Sequence, residues 1–104
     1  MPQILTLAFN PSLDKTVTVP RLGIGAECRV CETRVVAGGK AVNVARALRL
    51  FGLDAGILGI SAGLSGAALE ALLREEGFGQ HWIPAEGETR TNVTIWDASR
   101  KQAT

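Results

Sequence analysis

Ala37-Gly38-Gly39-Lys40-Ala41-Val42-Asn43-Val44-Ala45 is a glycine turn that runs directly into an amphipathic helix. Two adjacent glycines let the backbone approach a ligand with no Cβ in the way. The helix start behind them offers free N–H groups and a positive dipole end, which together favour an anion. Lys40 adds a cationic head and Asn43 a neutral hydrogen-bonding one. Those groups suit a phosphorylated or polyhydroxylated small molecule. A plain helix start after a glycine turn is the simpler reading of the same residues.

The helix is predicted over residues 40–51, with Val44, Ala47, Leu48 and Phe51 as its buried stripe and Arg46 and Arg49 off it. Gly52 ends it as a C′ residue. Residues 54–60 form a second apolar run, a candidate parallel strand. A Gly/Ser loop at 61–66 leads to a second helix at 67–76, with Leu69, Leu72 and Leu73 inward and Gly77 closing it. A short strand at 80–84 and a polar turn at 86–88 follow. Residues 91–96 then alternate Val93 and Ile95 against Asn92, Thr94 and Trp96.

Towards the N-terminus, residues 4–9 are an apolar run consistent with a central strand buried on both faces. Asn10-Pro11-Ser12 ends it with turn chemistry. Residues 16–19 alternate at period two and stop at Pro20. Residues 28–36 are β-branched-rich and read as the second strand of a hairpin-like excursion. The order is therefore β, ββ, α, β, α, β, β. Strands alternating with helices argue a doubly wound parallel sheet, and the half-exposed strands argue a small separate antiparallel sheet. Two helices leave much of one sheet face uncovered, as in the first third of a larger fold.

Composition narrows the function. A chain of 104 residues makes one small domain or part of a larger one. A formal charge of +1 gives no footprint for nucleic acid or a membrane surface. The content is 46% hydrophobic with 5% aromatics, which suits aliphatic α/β packing. No apolar stretch approaches the roughly 18 residues of a membrane span. Met1-Pro2-Gln3 followed at once by a strand-like run does not read as a secretory signal, so the expected location is the cytoplasm.

Cys28 and Cys31 have Cys-x-x-Cys spacing. A zinc ribbon needs a second ligand pair, and the single His81 cannot supply one. A redox pair opens a helix, whereas this segment reads as a strand with the two thiols on opposite faces. They are read as two unrelated thiols, and no metal site is expected.

Three segments carry a resemblance: Leu5-Thr6-Leu7-Ala8-Phe9-Asn10-Pro11-Ser12-Leu13-Asp14, Gly38-Gly39-Lys40-Ala41-Val42-Asn43-Val44-Ala45-Arg46 and Gly87-Glu88-Thr89-Arg90-Thr91-Asn92. In order and spacing they resemble the PfkB branch of the ribokinase-like carbohydrate kinases, most closely the 1-phosphofructokinase and tagatose-6-phosphate kinase group. The resemblance covers essentially the whole chain. It implies a parent roughly threefold longer, with a ribokinase-like α/β domain and a small β-sheet lid that often forms a dimer interface. The lid strands would be residues 15–36 and 90–96, inserted in the α/β core.

Position by position, the resemblance implies that Asp14 accepts hydrogen bonds from sugar hydroxyls, a role suited to a carboxylate just past a strand's C-terminal end. An Asx-type turn is the alternative reading of Asp14. Gly38, Gly39 and Asn43 would line the sugar. Lys40 would contact the substrate phosphate or stand solvated in the first helical turn. Arg90 would reach back from the lid strand, its planar fork suited to phosphate, or else be a surface strand arginine. Asn92 shares that strand face by period two.

The family commonly has glycine where this chain has Ala41 and Ala62, and neither change removes a polar group. The family's catalytic aspartate and glycine-rich anion hole belong to its C-terminal part, and no matching Gly-Ala-Gly-Asp segment exists here. No catalytic residue is therefore expected in this segment, and the chain alone is expected to be inactive. ATP and Mg2+ would be bound mainly by that other part.

The implied activity is ATP-dependent sugar-phosphate phosphorylation, with fructose 1-phosphate as first acceptor, then tagatose 6-phosphate and fructose 6-phosphate. A non-catalytic sugar-phosphate-binding module is the alternative of another class. A dinucleotide-binding half domain fails, because no Gly-x-Gly-x-x-Gly follows the first strand.

Overall fold

In the computed structural model, which describes residues 3–104, the chain runs β1 (Ile4–Ala8), β2 (Ser12–Val19), β3 (Glu32–Gly38), α1 (Lys40–Leu50), β4 (Ala55–Ala62), α2 (Gly63–Glu75), β5 (Gln80–Ala85), β6 (Arg90–Asp97) and β7 (Gln102–Ala103). The alternation of strand and helix signals therefore yields the expected order, with the short β7 added. No described helix is long and apolar enough to cross a membrane.

The first sheet has order β1-β4-β5 and is parallel throughout, with Thr6 beside Ile57 and Ile57 beside Gln80. The strand order advances in one direction. Two right-handed crossovers then put α1 and α2 on the same face. There Ala8 and Ile57 pack with Val42, Ala45, Leu69, Leu73 and Phe78 as one core. The opposite face is bare: Leu5 is 56% exposed and Ile83 53%. The expectation that residues 4–9 form a central strand covered on both faces is therefore corrected. Within these residues β1 is an edge strand, covered on one face.

The second sheet has order β3-β2-β6-β7. β2 and β3 form the expected antiparallel pair, but β6 lies parallel to β2, so the sheet is mixed rather than antiparallel. The cause is topological. β2 follows β1 and β6 follows β5, so both leave parallel core strands at the same end and run the same way.

Several boundaries also move. β2 starts at Ser12, earlier than the alternation at 16–19 implied, and Gly38 closes β3 opposite Ser12 instead of breaking the strand. Cys28 and Cys31 precede β3, so they do not lie on opposite faces of a strand; both are free thiols, bonded to the carbonyls of Arg21 and Thr18.

α1 buries Val42 and Ala45, not Val44, Ala47 and Phe51. The helix is apolar on both stripes, and only packing against the sheet selects one. The chosen stripe lies about one residue-step, roughly 100°, around the helix from the expected one. Phe51 stays 82% exposed, while Arg49, expected off the stripe, lies 3.7 Å from the centre of the Phe78 ring.

α2 does bury Leu69 and Leu73 as read, but it begins at Gly63 within the supposed loop. Its N-cap, Ala62, offers no side-chain acceptor. Glu88, distant in sequence, supplies one, accepting from the N–H groups of Leu64 at 3.2 Å and Ser65 at 3.1 Å. Those bonds and the Ser65 hydroxyl hold the Glu88 carboxyl below its ordinary range. The neighbouring Thr89 exchanges bonds with Ala62, its N–H donating at 2.9 Å and its hydroxyl accepting at 3.0 Å. The joint between the two sheets is therefore pinned to the β4–α2 junction.

Candidate functional site

In open α/β sheets ligands bind beyond the C-terminal ends of the parallel strands. A cleft of about 340 Å³ lies at that end of β1. Residues 7–11 form one side, residues 38–42 the other, and Arg90 closes it. Of the predicted site residues, Gly38, Gly39, Lys40 and Arg90 line this cleft. Asp14, Asn43 and Asn92 do not line it: Asp14 lies over Gly38, the Asn43 N–H donates to the Gly39 carbonyl, and Asn92 reaches only Asp14.

The two glycines are required for different reasons. Gly39 has φ 103° and ψ 158°, a conformation essentially reserved for glycine. A Cβ there would also sit 3.1 Å from the Pro11 Cα. Gly38 is in ordinary strand conformation, but a Cβ on it would run into the Asp14 carboxylate. The chain therefore turns tightly into α1, whose first turn has neither a side-chain cap nor an acidic residue. Its leading N–H groups lack intrahelical acceptors and lie at the cleft wall. This is a helix end prepared for an anion.

Two cations accompany it. Lys40 is exposed at the rim. Arg90, the first residue of β6, donates through Nε at 3.3 Å and Nη2 at 3.2 Å to the carbonyl oxygen of Asn10. That contact draws the guanidinium across the cleft mouth from one sheet to the other.

Asp14 lies inside β2, paired with Val36 and Asn92. The Asx-turn reading is thus corrected, while Asp14 does follow the C-terminal end of β1, within the next strand. One carboxylate oxygen, Oδ1, accepts from the Ser12 hydroxyl at 2.8 Å and from Asn92 Nδ2 at 3.0 Å. Asn92 therefore presents its amide to Asp14.

Asn43 is tethered on α1. Its side-chain oxygen accepts from Arg46 Nη1 at 3.0 Å, while Arg46 Nη2 donates to the Ala37 carbonyl at 2.7 Å. The same guanidinium forms a 2.7 Å ion pair with Glu76 past the end of α2. Each partner favours the other's charged form: Glu76 raises Arg46, and Arg46 lowers Glu76. Arg46 thus locks the glycine turn to both helices.

Ser12, Asn10, Arg46 and Glu88 were not singled out from sequence. Ser12 had a readable signal, because polar residues alternate from Ser12 through Asp14, Thr16 and Thr18. Starting the strand there places Ser12 and Asp14 on one face. The other three act through backbone carbonyls or distant helix ends and leave no local pattern. Among the described residues no group of three His, Cys, Asp or Glu is gathered as a metal cradle.

Comparisons with known proteins agree with this fold. No family model matches the chain. It is 36% identical over 102 residues to a 1-phosphofructokinase of Xanthomonas campestris pv. campestris, covering 98% of this chain and 32% of that protein. It is 35% identical over 92 residues to a tagatose-6-phosphate kinase of Staphylococcus epidermidis, covering 88% of this chain and 30% of that one. Its fold superimposes on the crystal structure of phosphofructokinase-2 from Escherichia coli in complex with fructose-6-phosphate, with TM-score 0.88 and 28% identity. That match covers 100% of this chain and 34% of the other. The chain thus spans about a third of the length of the relatives it matches. In sequence and in fold, these residues are similar to an N-terminal segment of the PfkB branch of the ribokinase-like carbohydrate kinases.

Proposed function

We propose that this chain is the acceptor-binding segment of an ATP-dependent sugar-phosphate kinase, with fructose 1-phosphate as its acceptor and fructose 1,6-bisphosphate as the product. One observation carries the reading: an uncapped helix start and two cations meet at the end of a parallel strand, with a carboxylate–amide pair over the adjoining Gly38. The phosphate would take the α1 N-terminus, Arg90 and Lys40, and the sugar hydroxyls would take Asp14 and the backbone at Gly38 and Gly39. Asn43 and Asn92 would complete the polar surroundings.

The sheet containing β2, β3 and β6 would act as a lid over the sugar and as the interface of a homodimer. The bare face of the first sheet, with Leu5 and Ile83, is shaped for the helices of a longer α/β domain. ATP and Mg2+ would be held mainly by that larger domain, as the resemblance to these kinases implies. Catalysis requires the nucleotide and acceptor to be positioned together. The 104 residues alone are therefore expected to be inactive. A sugar-phosphate kinase of this type would work in the cytoplasm.

The test is a coupled assay of the natural gene product with ATP and each of fructose 1-phosphate, tagatose 6-phosphate and fructose 6-phosphate. Fructose 1-phosphate is expected to give the highest kcat/KM. Preference for another of the three would reassign the acceptor. Saturable sugar-phosphate binding with no turnover would identify a non-catalytic binding module instead.

A further inference from the structure

Asp14 has two oxygens with different surroundings. Ser12 and Asp14 are two residues apart on β2 and share a face, and Asn92 is the β6 residue paired with Asp14. Ser12 is 0% exposed, and its single hydroxyl proton goes to Asp14 Oδ1. The Asn92 amide donates to that same oxygen. A carboxylate oxygen has two lone-pair sites, so both sites on Oδ1 are occupied. Oδ2 accepts no hydrogen bond from the described residues and lies over Gly38, beside the cleft wall.

We propose that Ser12 is a positioning residue for the acceptor sugar. With Asn92 it fills one oxygen of Asp14 and aims the other at an incoming sugar hydroxyl. A carboxylate with one donor, or none, turns about its Cβ–Cγ bond and offers either oxygen. Two donors converging on one oxygen fix that rotation, and the missing side chain at Gly38 leaves room for the other oxygen. Sites built to hydrogen-bond a hydroxyl discriminate strongly against ligands lacking it. Ser12 therefore sharpens the preference for a polyol phosphate over a bare phosphate ion. The proposal rests on the sugar-phosphate reading above.

The test is calorimetric titration of the full-length natural protein with fructose 1-phosphate and, separately, with inorganic phosphate. Ser12→Ala is expected to weaken fructose 1-phosphate about tenfold and leave inorganic phosphate unchanged, because phosphate is held by Arg90, Lys40 and α1. Asn92→Asp, a near-isosteric change at an exposed position, places a like charge on Asp14 and should reproduce the selective loss. It also serves if Ser12→Ala fails to fold. Equal weakening of both ligands by these variants would mark a structural role and overturn the proposal, as would wild-type affinity for both. A wild-type protein that binds no sugar phosphate would overturn the functional reading itself, and the positioning role with it.

Discussion

The carboxylate of Asp14 fills the space that a side chain at position 38 would need. The two residues sit on neighbouring strands, Gly38 opposite Ser12 and Asp14 opposite Val36. An absent side chain on β3 thus makes room for the Asp14 carboxylate on β2. Gly38→Ala must displace the carboxylate. It is expected to lower sugar-phosphate affinity roughly tenfold or more, about 1.4 kcal/mol, as read by calorimetry. Gly39→Ala acts differently, through backbone strain, and should destabilise the fold by about 1–3 kcal/mol in urea unfolding.

Arg90 links the two sheets by reaching the Asn10 carbonyl. Under the proposed function a bound phosphate competes for the same guanidinium. Arg90→Lys keeps the charge but loses the planar fork, and is expected to weaken sugar-phosphate binding roughly tenfold. Arg90→Ala should cost more, with little change in melting temperature because the side chain is exposed. Unchanged affinity in both variants would remove Arg90 from the site.

Asp97 is 3% exposed at the end of β6 and gathers four donors. The Ser99 hydroxyl contributes most, with the N–H groups of Leu22, Ser99 and Arg100, and together they lower its pKa from 3.8 to about 2. A folded-state pKa below the unfolded one means stability that is complete above the unfolded value. That stability is lost as pH falls from about 4 towards 2. Urea midpoints measured down this range should therefore decline, and Asp97→Asn should flatten that part of the curve. Glu88 is shifted the same way by its bonds to α2, so Glu88→Gln should remove a further share of the acid sensitivity.

Arg46 joins Ala37, Asn43 and Glu76 with one guanidinium. Arg46→Ala should destabilise the fold by about 1–3 kcal/mol, most of it from the buried Ala37 carbonyl rather than from the partly exposed ion pair. Lysine at this position should recover only part of the loss, since it cannot serve three acceptors in a planar geometry. Equal urea midpoints for wild type and Arg46→Ala would show that the glycine turn holds without this tether.

Local chemistry in the sequence determined which elements form. Apolar runs and period-two alternation wrote the strands, Gly52 and Gly77 wrote the helix ends, and the Gly38-Gly39-Lys40 turn announced the uncapped start of α1. These signals act over a few residues, so they are legible without the fold. Tertiary structure decided which stripe of α1 is buried, because Val42 and Val44 are equally apolar and only the sheet chooses between them. It also made β6 parallel to β2 and let Glu88 start α2 earlier than its own residues suggest. Most of all, it turned Asn92 and Ser12 onto one oxygen of Asp14. That contact joins residues 78 positions apart. A hydrogen bond of this range depends on strand register, and register is settled only when both sheets pack.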